Sequence, residues 1–161
     1  MPAVRSNLRC ILLTAPLLLT AATARAETLP GPVPADVIRV IDGDTLALRA
    51  RIWIGQDIVV NARIRGIDAP ELHGKCTKEK ALAAAARDRL AAVTAAGRVH
   101  LARIEHDKYA GRVIADVITD DGTDLRDAML ASGLVRTYDG GGRMPWCGIA
   151  GLGGGGRTWR P

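Results

Sequence analysis

Apolar and polar positions alternate in short runs over the first part of the chain. Val37-Ile38-Arg39-Val40-Ile41 is one run, Thr45 to Ile54 a second and Asp57 to Ile67 a third. Val, Ile and Leu in alternation are what a half-buried strand requires. Asp42-Gly43 is a hairpin signal between the first two runs, and Gly55-Gln56 marks a turn before the third. Connections this short predict an antiparallel meander. The period then changes. Thr77 to Ala96 holds nine alanines and neither Gly nor Pro, with Leu82, Ala86, Leu90 and Val93 at helical spacing. Thr77 is placed to cap this helix and Gly97 to end it. Strand-like alternation returns over Arg98 to Glu105 and Val113 to Thr119, and Asp121-Gly122 is a turn. Asp124 to Ser132 reads as a short helix with Leu125, Ala128 and Met129 inward, closed by Gly133.

Three strands, a long helix, two strands and a short helix fit a five-stranded Greek-key barrel of the OB type. The long helix then lies between the third and fourth strands and the short helix after the fifth. An open α+β sheet would give the same string of elements, and periodicity alone does not separate the two.

The ends of the chain read differently. Arg5 and Arg9 precede an apolar run from Ile11 to Ala22, followed by Ala24-Arg25-Ala26. That order is a secretory signal peptide over residues 1–26, too short to span a bilayer; the competing reading is a buried N-terminal helix. Residues 27–36, with Pro30, Gly31, Pro32 and Pro34, are expected to be an exposed lead-in, and residues 37–147 to form the domain. The glycine-rich stretch 148–161 is expected to be disordered.

Cleavage after Ala26 removes three arginines and no acid, so 22 basic residues fall to 19 against 17 acids, and the net charge falls from +5 to +2. Net charge therefore makes no case for a nucleic-acid partner. The remaining 135 residues suffice for one domain. With no Phe in the chain, the core must be aliphatic. Cys76 and Cys147 remain after cleavage, and an even pair in an exported protein predicts a disulfide. Closing so long a loop stabilises the fold by about 4 kcal/mol in the chain-entropy account. Zinc is the poorer reading, because two cysteines and His73 lack a compact ligand spacing.

Candidate chemistry gathers at element ends. Asp42 and Asp44 flank the first turn, and Asp68 and Glu71 sit in Asp68-Ala69-Pro70-Glu71 after the third strand. Should the first hairpin lie beside the end of that strand, Asp44 and Asp68 meet as hard oxygen ligands suited to Ca²⁺ or Mg²⁺. Acids in turns also cap backbone groups and bind nothing. Arg63 and Arg65 share a face by period two, and Arg112 opens the fifth strand. Guanidinium groups match phosphoryl oxygens bidentately, and a carboxylate beside a bound cation can activate water. A solvated strand face is the competing account of any single arginine.

Three blocks carry a resemblance: Ile41-Asp42-Gly43-Asp44-Thr45, Arg63-Ile64-Arg65-Gly66-Ile67-Asp68-Ala69-Pro70-Glu71 and Asp107-Lys108-Tyr109-Ala110-Gly111-Arg112. In order and separation they resemble the signature blocks of the staphylococcal nuclease (thermonuclease) family. The stretch Leu125 to Leu134 is similar to that family's second helix, and the resemblance runs from about Val37 to Tyr138. It implies an OB-fold barrel and an exported, Ca²⁺-dependent endonuclease cutting DNA, RNA or both. By resemblance, Asp44 and Asp68 are the metal carboxylates and Ala69 ligates through its backbone carbonyl. Glu71 is the general base, Arg63 and Arg112 engage the scissile phosphate, and Lys108 and Tyr109 contact the substrate's terminal phosphate. Tyr138 stands where an aromatic wall for a base is expected; a buried core tyrosine is the other reading of it. The third block is one residue longer than the family's Tyr-Gly-Arg, and Gly140-Gly141-Gly142 replaces the start of its C-terminal helix. The expected protein is a periplasmic or extracellular monomer, without stable membrane association once the signal is cleaved. The alternative readings are a non-catalytic nucleic-acid-binding OB module and an exported OB domain that binds protein or sugar.

Overall fold

The computed structural model describes residues 27–148, so the signal peptide read in residues 1–26 and the tail beyond Gly148 lie outside the described residues. The elements are strands β1 (Thr28–Leu29), β2 (Val33–Asp42), β3 (Thr45–Trp53), β4 (Gln56–Ile64) and β5 (Ile67–Asp68), helix α1 (Thr77–Val93), strands β6 (Arg98–His106) and β7 (Arg112–Thr119), helix α2 (Leu125–Ala131) and strand β8 (Arg136–Thr137).

Five strands close on themselves. β2, β3 and β4 form the antiparallel meander, β4 pairs in parallel with β7, β7 pairs with β6, and β6 returns to β2. This is the OB-type barrel expected, with α1 between β5 and β6 and α2 after β7. Closure settles what periodicity left open, since an open sheet would leave two strands with unpaired edges.

The seam of the barrel is made by residues read as lead-in. Val33 to Asp36 pair with Leu101 to Arg98, and Ala35 is buried in the core. Pro34 lowers the strand signal there, but closing the ring requires a partner for the far end of β6, and Val33–Asp36 supplies it. Thr28–Leu29 adds a short outer strand on β6. Within 27–36, Glu27 and Pro30 to Pro32 stay outside the sheet and are exposed.

The core is aliphatic, as the lack of Phe requires: Leu46, Leu48, Ile64, Ile67, Leu90, Val99, Leu101, Val117, Leu125 and Met129 are fully buried. Helix α1 turns Ala83, Ala86 and Leu90 inward and packs on β2 and α2. Its start differs from expectation. Cys76 occupies the N-cap position with no side-chain cap, because Thr77 is already the first helical residue. The helix stops at Val93, where Thr94 returns its hydroxyl to the Leu90 carbonyl, and Gly97 with φ +79° completes the turn. Asp124 caps α2 by accepting from the Arg126 and Asp127 amides. Among the described residues no helix is long and apolar enough to cross a membrane.

A small face on α1 positions the first candidate acid. A Cβ on Gly43 would lie 2.6 Å from the Ala86 Cβ and 2.9 Å from the Ala69 Cβ. The β2–β3 turn therefore sits directly on the helix and on the Asp68–Glu71 segment. No other residue fits without displacing one of the three.

Candidate active site

Asp44 follows that glycine and its carboxylate is almost wholly buried. One oxygen accepts from the Thr45 hydroxyl and the Arg63 guanidinium, each at 2.8 Å, and the other accepts from the Ala69 amide at 3.0 Å. Its own amide donates to Asp42 Oδ1 at 3.0 Å, and its carbonyl accepts from the Ile64 amide at 2.8 Å. Burial pushes the Asp44 carboxyl up to about 7, opposed by Arg63, reinforced by Asp42, and opposed again by the Ala69 amide and the Thr45 hydroxyl.

Arg63 ties the two metal-ligand candidates together. It bonds Asp44 through Nη1, while Nη2 donates to the Ile67 carbonyl at 3.2 Å and lies 3.6 Å from Asp68 Oδ1. Asp68 is buried where β5 pairs with β8, opposite Arg136. Asp44 and Asp68 are thus both paired with one guanidinium. Arg65 does not join them. Arg65 lies one step further along β7, where its amide donates to the Ala115 carbonyl at 2.9 Å. That side chain turns instead to Glu105 at 3.1 Å and Asp116 at 3.4 Å.

Glu71, Arg112, Lys108, Tyr109 and Tyr138 line one cleft with Arg63, of about 510 Å³. Glu71 is on a loop whose backbone is gathered by the buried carboxylate of Glu79, which accepts from the Lys75 amide at 3.0 Å and the Glu71 amide at 3.5 Å. A Cβ on Gly74 would lie 2.3 Å from the Glu79 carboxyl carbon, so any other residue there would displace that carboxylate. Arg112 is held by Asp107 through its Nε. The extra residue of the third block is absorbed in a tight turn: the Arg112 amide donates to the Tyr109 carbonyl at 3.2 Å, and Gly111 takes φ +75°. The Tyr109 ring lies over both Arg112 and Lys108, 4.6 Å and 5.1 Å from the charges. Tyr138 is half-buried in the cleft wall rather than in the core, with its ring 6.0 Å from the Arg63 guanidinium.

Cys76 and Cys147 are joined, with Cα atoms 6.0 Å apart, and the Glu79 carboxylate lies 3.1 Å from the Cys147 sulfur. Between Tyr138 and Cys147 the chain crosses the acids as a strap without helix or strand. Arg143 on this strap donates Nε to Asp68 at 2.6 Å, Nη2 to the Ala69 carbonyl at 3.1 Å and Nη1 to Glu71. Trp146 donates to the other Asp68 oxygen at 3.3 Å, and Arg136 stacks on its indole 3.4 Å from the ring centre. Burial alone would lower the Arg143 pKa, but its bonds to Glu71 and Asp68 raise it.

The oxygens of Asp68, Ala69 and Glu71 therefore already converge on one positive group. All are hard donors, with the buried Asp44 carboxylate adjacent through Arg63, and this set fits an alkaline-earth cation. Arg143, Trp146, Asp107 and Glu79 escaped the sequence reading. Arg143 and Trp146 sit in a stretch dominated by glycine, and Asp107 and Glu79 act through other residues.

A sequence model of the family described as staphylococcal nuclease homologue matches residues 61–143, just over half of the chain. The match takes in the second and third blocks and ends on Arg143; the Ile41–Thr45 block precedes it. Nothing among curated proteins matches the chain.

Proposed function

The chain belongs to the staphylococcal nuclease homologue family, and on that footing we propose that it is an exported, calcium-dependent endonuclease of DNA, RNA or both. The observation that carries the proposal is the convergence of Asp44, Arg63 and Asp68 on one buried ion-pair network, at the edge of a cleft that Glu71 and Arg112 also line.

Asp44, Asp68 and the Ala69 carbonyl would hold the cation, which would supply positive charge to offset that of the scissile phosphate oxygens. Arg63 and Arg112 bind those oxygens and oppose the charge that grows on them in the transition state. Arg63 is fixed from below by Asp44 and the Ile67 carbonyl, and Arg112 by Asp107, so neither guanidinium has to reorganise during the reaction. Glu71 takes the proton of the attacking water. Tyr109, Tyr138 and Lys108 seat the neighbouring nucleotide by stacking and by charge. Contact through phosphate and rings leaves little readout of sequence. The signal-like leader and the disulfide support a periplasmic or extracellular site of action, and the protein acts as a monomer.

Arg143 favours a second reading. It already neutralises Asp68 and Glu71, as a non-catalytic nucleic-acid-binding module would require. Incubating the protein with DNA and with RNA, with Ca²⁺ or with chelator, separates the two. The nuclease reading expects Ca²⁺-dependent cleavage that Glu71→Gln and Arg112→Ala each reduce by at least about a hundredfold. Binding without cleavage supports the module, and cleavage indifferent to the chelator and to both substitutions defeats the mechanism.

A further inference from the structure

We infer that Arg143 is the resident cation of the acid cluster. It competes with the divalent ion for Asp68, Ala69 and Glu71, and the disulfide-tethered strap sets the strength of that competition. The inference rests on the proposal that these oxygens bind metal.

Three donors of one guanidinium meet three oxygens from three successive functional positions. A guanidinium is planar with a fixed fork of N–H groups, so such a fit is specific. Two of the oxygens, on Asp68 and Ala69, are ones the metal needs, and the third belongs to the base. A divalent cation and a guanidinium on these oxygens oppose each other, because like charges about 4 Å apart repel. Arg63 is placed differently: with 14% of its side chain exposed and a further bond to the Ile67 carbonyl, it is a fixed part of the cluster that stays with Asp44 and Asp68 whichever cation joins them. Arg143 approaches from the solvent side, with 42% of its side chain exposed, so it can leave without disturbing the core.

The strap keeps it in place. Its first end is fixed where β8 pairs with β5 and the Tyr138 amide donates to the Gly66 carbonyl at 2.9 Å. Its last end is fixed by Cys147 on Cys76 and by Trp146 between Arg136 and Asp68. Gly140, Gly141 and Gly142 contribute no side chain between the anchors. Tethering at both ends gives the guanidinium a high effective concentration over the acids, and releasing one end lowers it.

Calcium titration calorimetry on the folded protein tests this without reference to cleavage. Arg143→Ala and Arg143→Gln are each expected to bind Ca²⁺ about tenfold more tightly than the parent, the weight of roughly one charge-assisted hydrogen bond. Loosening the strap, by the double change Cys76→Ser with Cys147→Ser or by inserting four glycines after Gly142, should tighten binding in the same direction. It should add nothing once Arg143 is gone. Circular dichroism shows whether the double serine protein is folded, and the glycine insertion leaves the disulfide intact. Ca²⁺ binding that is equal or weaker without Arg143 overturns the competition while leaving the metal reading intact. Ca²⁺ binding by none of the proteins overturns both.

Discussion

The acid cluster is built from two regions that obey different physics. Below it, the β2–β3 turn is clamped between Ala86 and Ala69, and Asp44 is locked by Thr45, Arg63 and the Ala69 amide. Above it, the strap from Tyr138 to Cys147 is mostly exposed, rich in glycine, and fastened at its ends. In the lower region each group is held by neighbours already paid into the barrel core. In the upper region position comes from tethers and a few surface contacts. The contrast implies that changes below cost stability and geometry together, whereas side-chain changes above, the disulfide apart, alter what the acids bind and cost the fold little.

The largest test of that contrast is Arg63→Ala. It strands a buried carboxylate, and breaking a buried pair this way costs about 3–5 kcal/mol. Urea unfolding of the variant should show that loss, and a loss below about 1 kcal/mol would mean the lower region is not held as described. The pH dependence comes next. The Asp44 carboxyl is raised to about 7 in the folded chain, against 3.8 when unfolded. Between those values the native state keeps a proton that the unfolded state has released. Stability in chelator therefore falls as pH rises from about 4 to 7 and is flat above, by at most about 4 kcal/mol. Asp44→Asn should remove that slope; an unchanged slope would assign it to another group. Gly43→Ala is smaller, at about 2 kcal/mol for forcing a methyl against Ala86 and Ala69. Thermal unfolding reports the cost, and a neutral result would show that the turn can lift off the helix. The smallest effect belongs to the strap. Trp146→Ala removes a cation–π contact and one hydrogen bond near the surface, for about 1 kcal/mol. A loss as large as that of Arg63→Ala would erase the distinction between the two regions.

Much of the fold was legible from local pattern. The meander, the alanine-rich helix, the two later strands and the capped short helix each carry their own periodicity and turn residues. The barrel seam at Val33–Asp36 was not, because Pro34 weakens the local signal and the partner lies some sixty residues away. The lower half of the site could be read as acids and an arginine at element ends, although the period of two by itself did not show that Arg65 pairs with Glu105 and Asp116 and not with the acids. The upper half left almost no local trace. A lone Arg143 among glycines has no pattern, and its meaning appears only where Asp68, Ala69 and Glu71 surround it.

Sequence alone determined the order of elements, an aliphatic core, a pair of cysteines suited to a bridge, and an inventory of acids and arginines. Those properties follow from side-chain chemistry and from neighbours within a few positions. Tertiary structure decided that the sheet closes, that Asp44 and Asp68 share Arg63, that Arg65 does not take part, and that Arg143 sits on the acids. Each of these depends on contacts between residues tens of positions apart, and loop closure and burial, not local preference, select them.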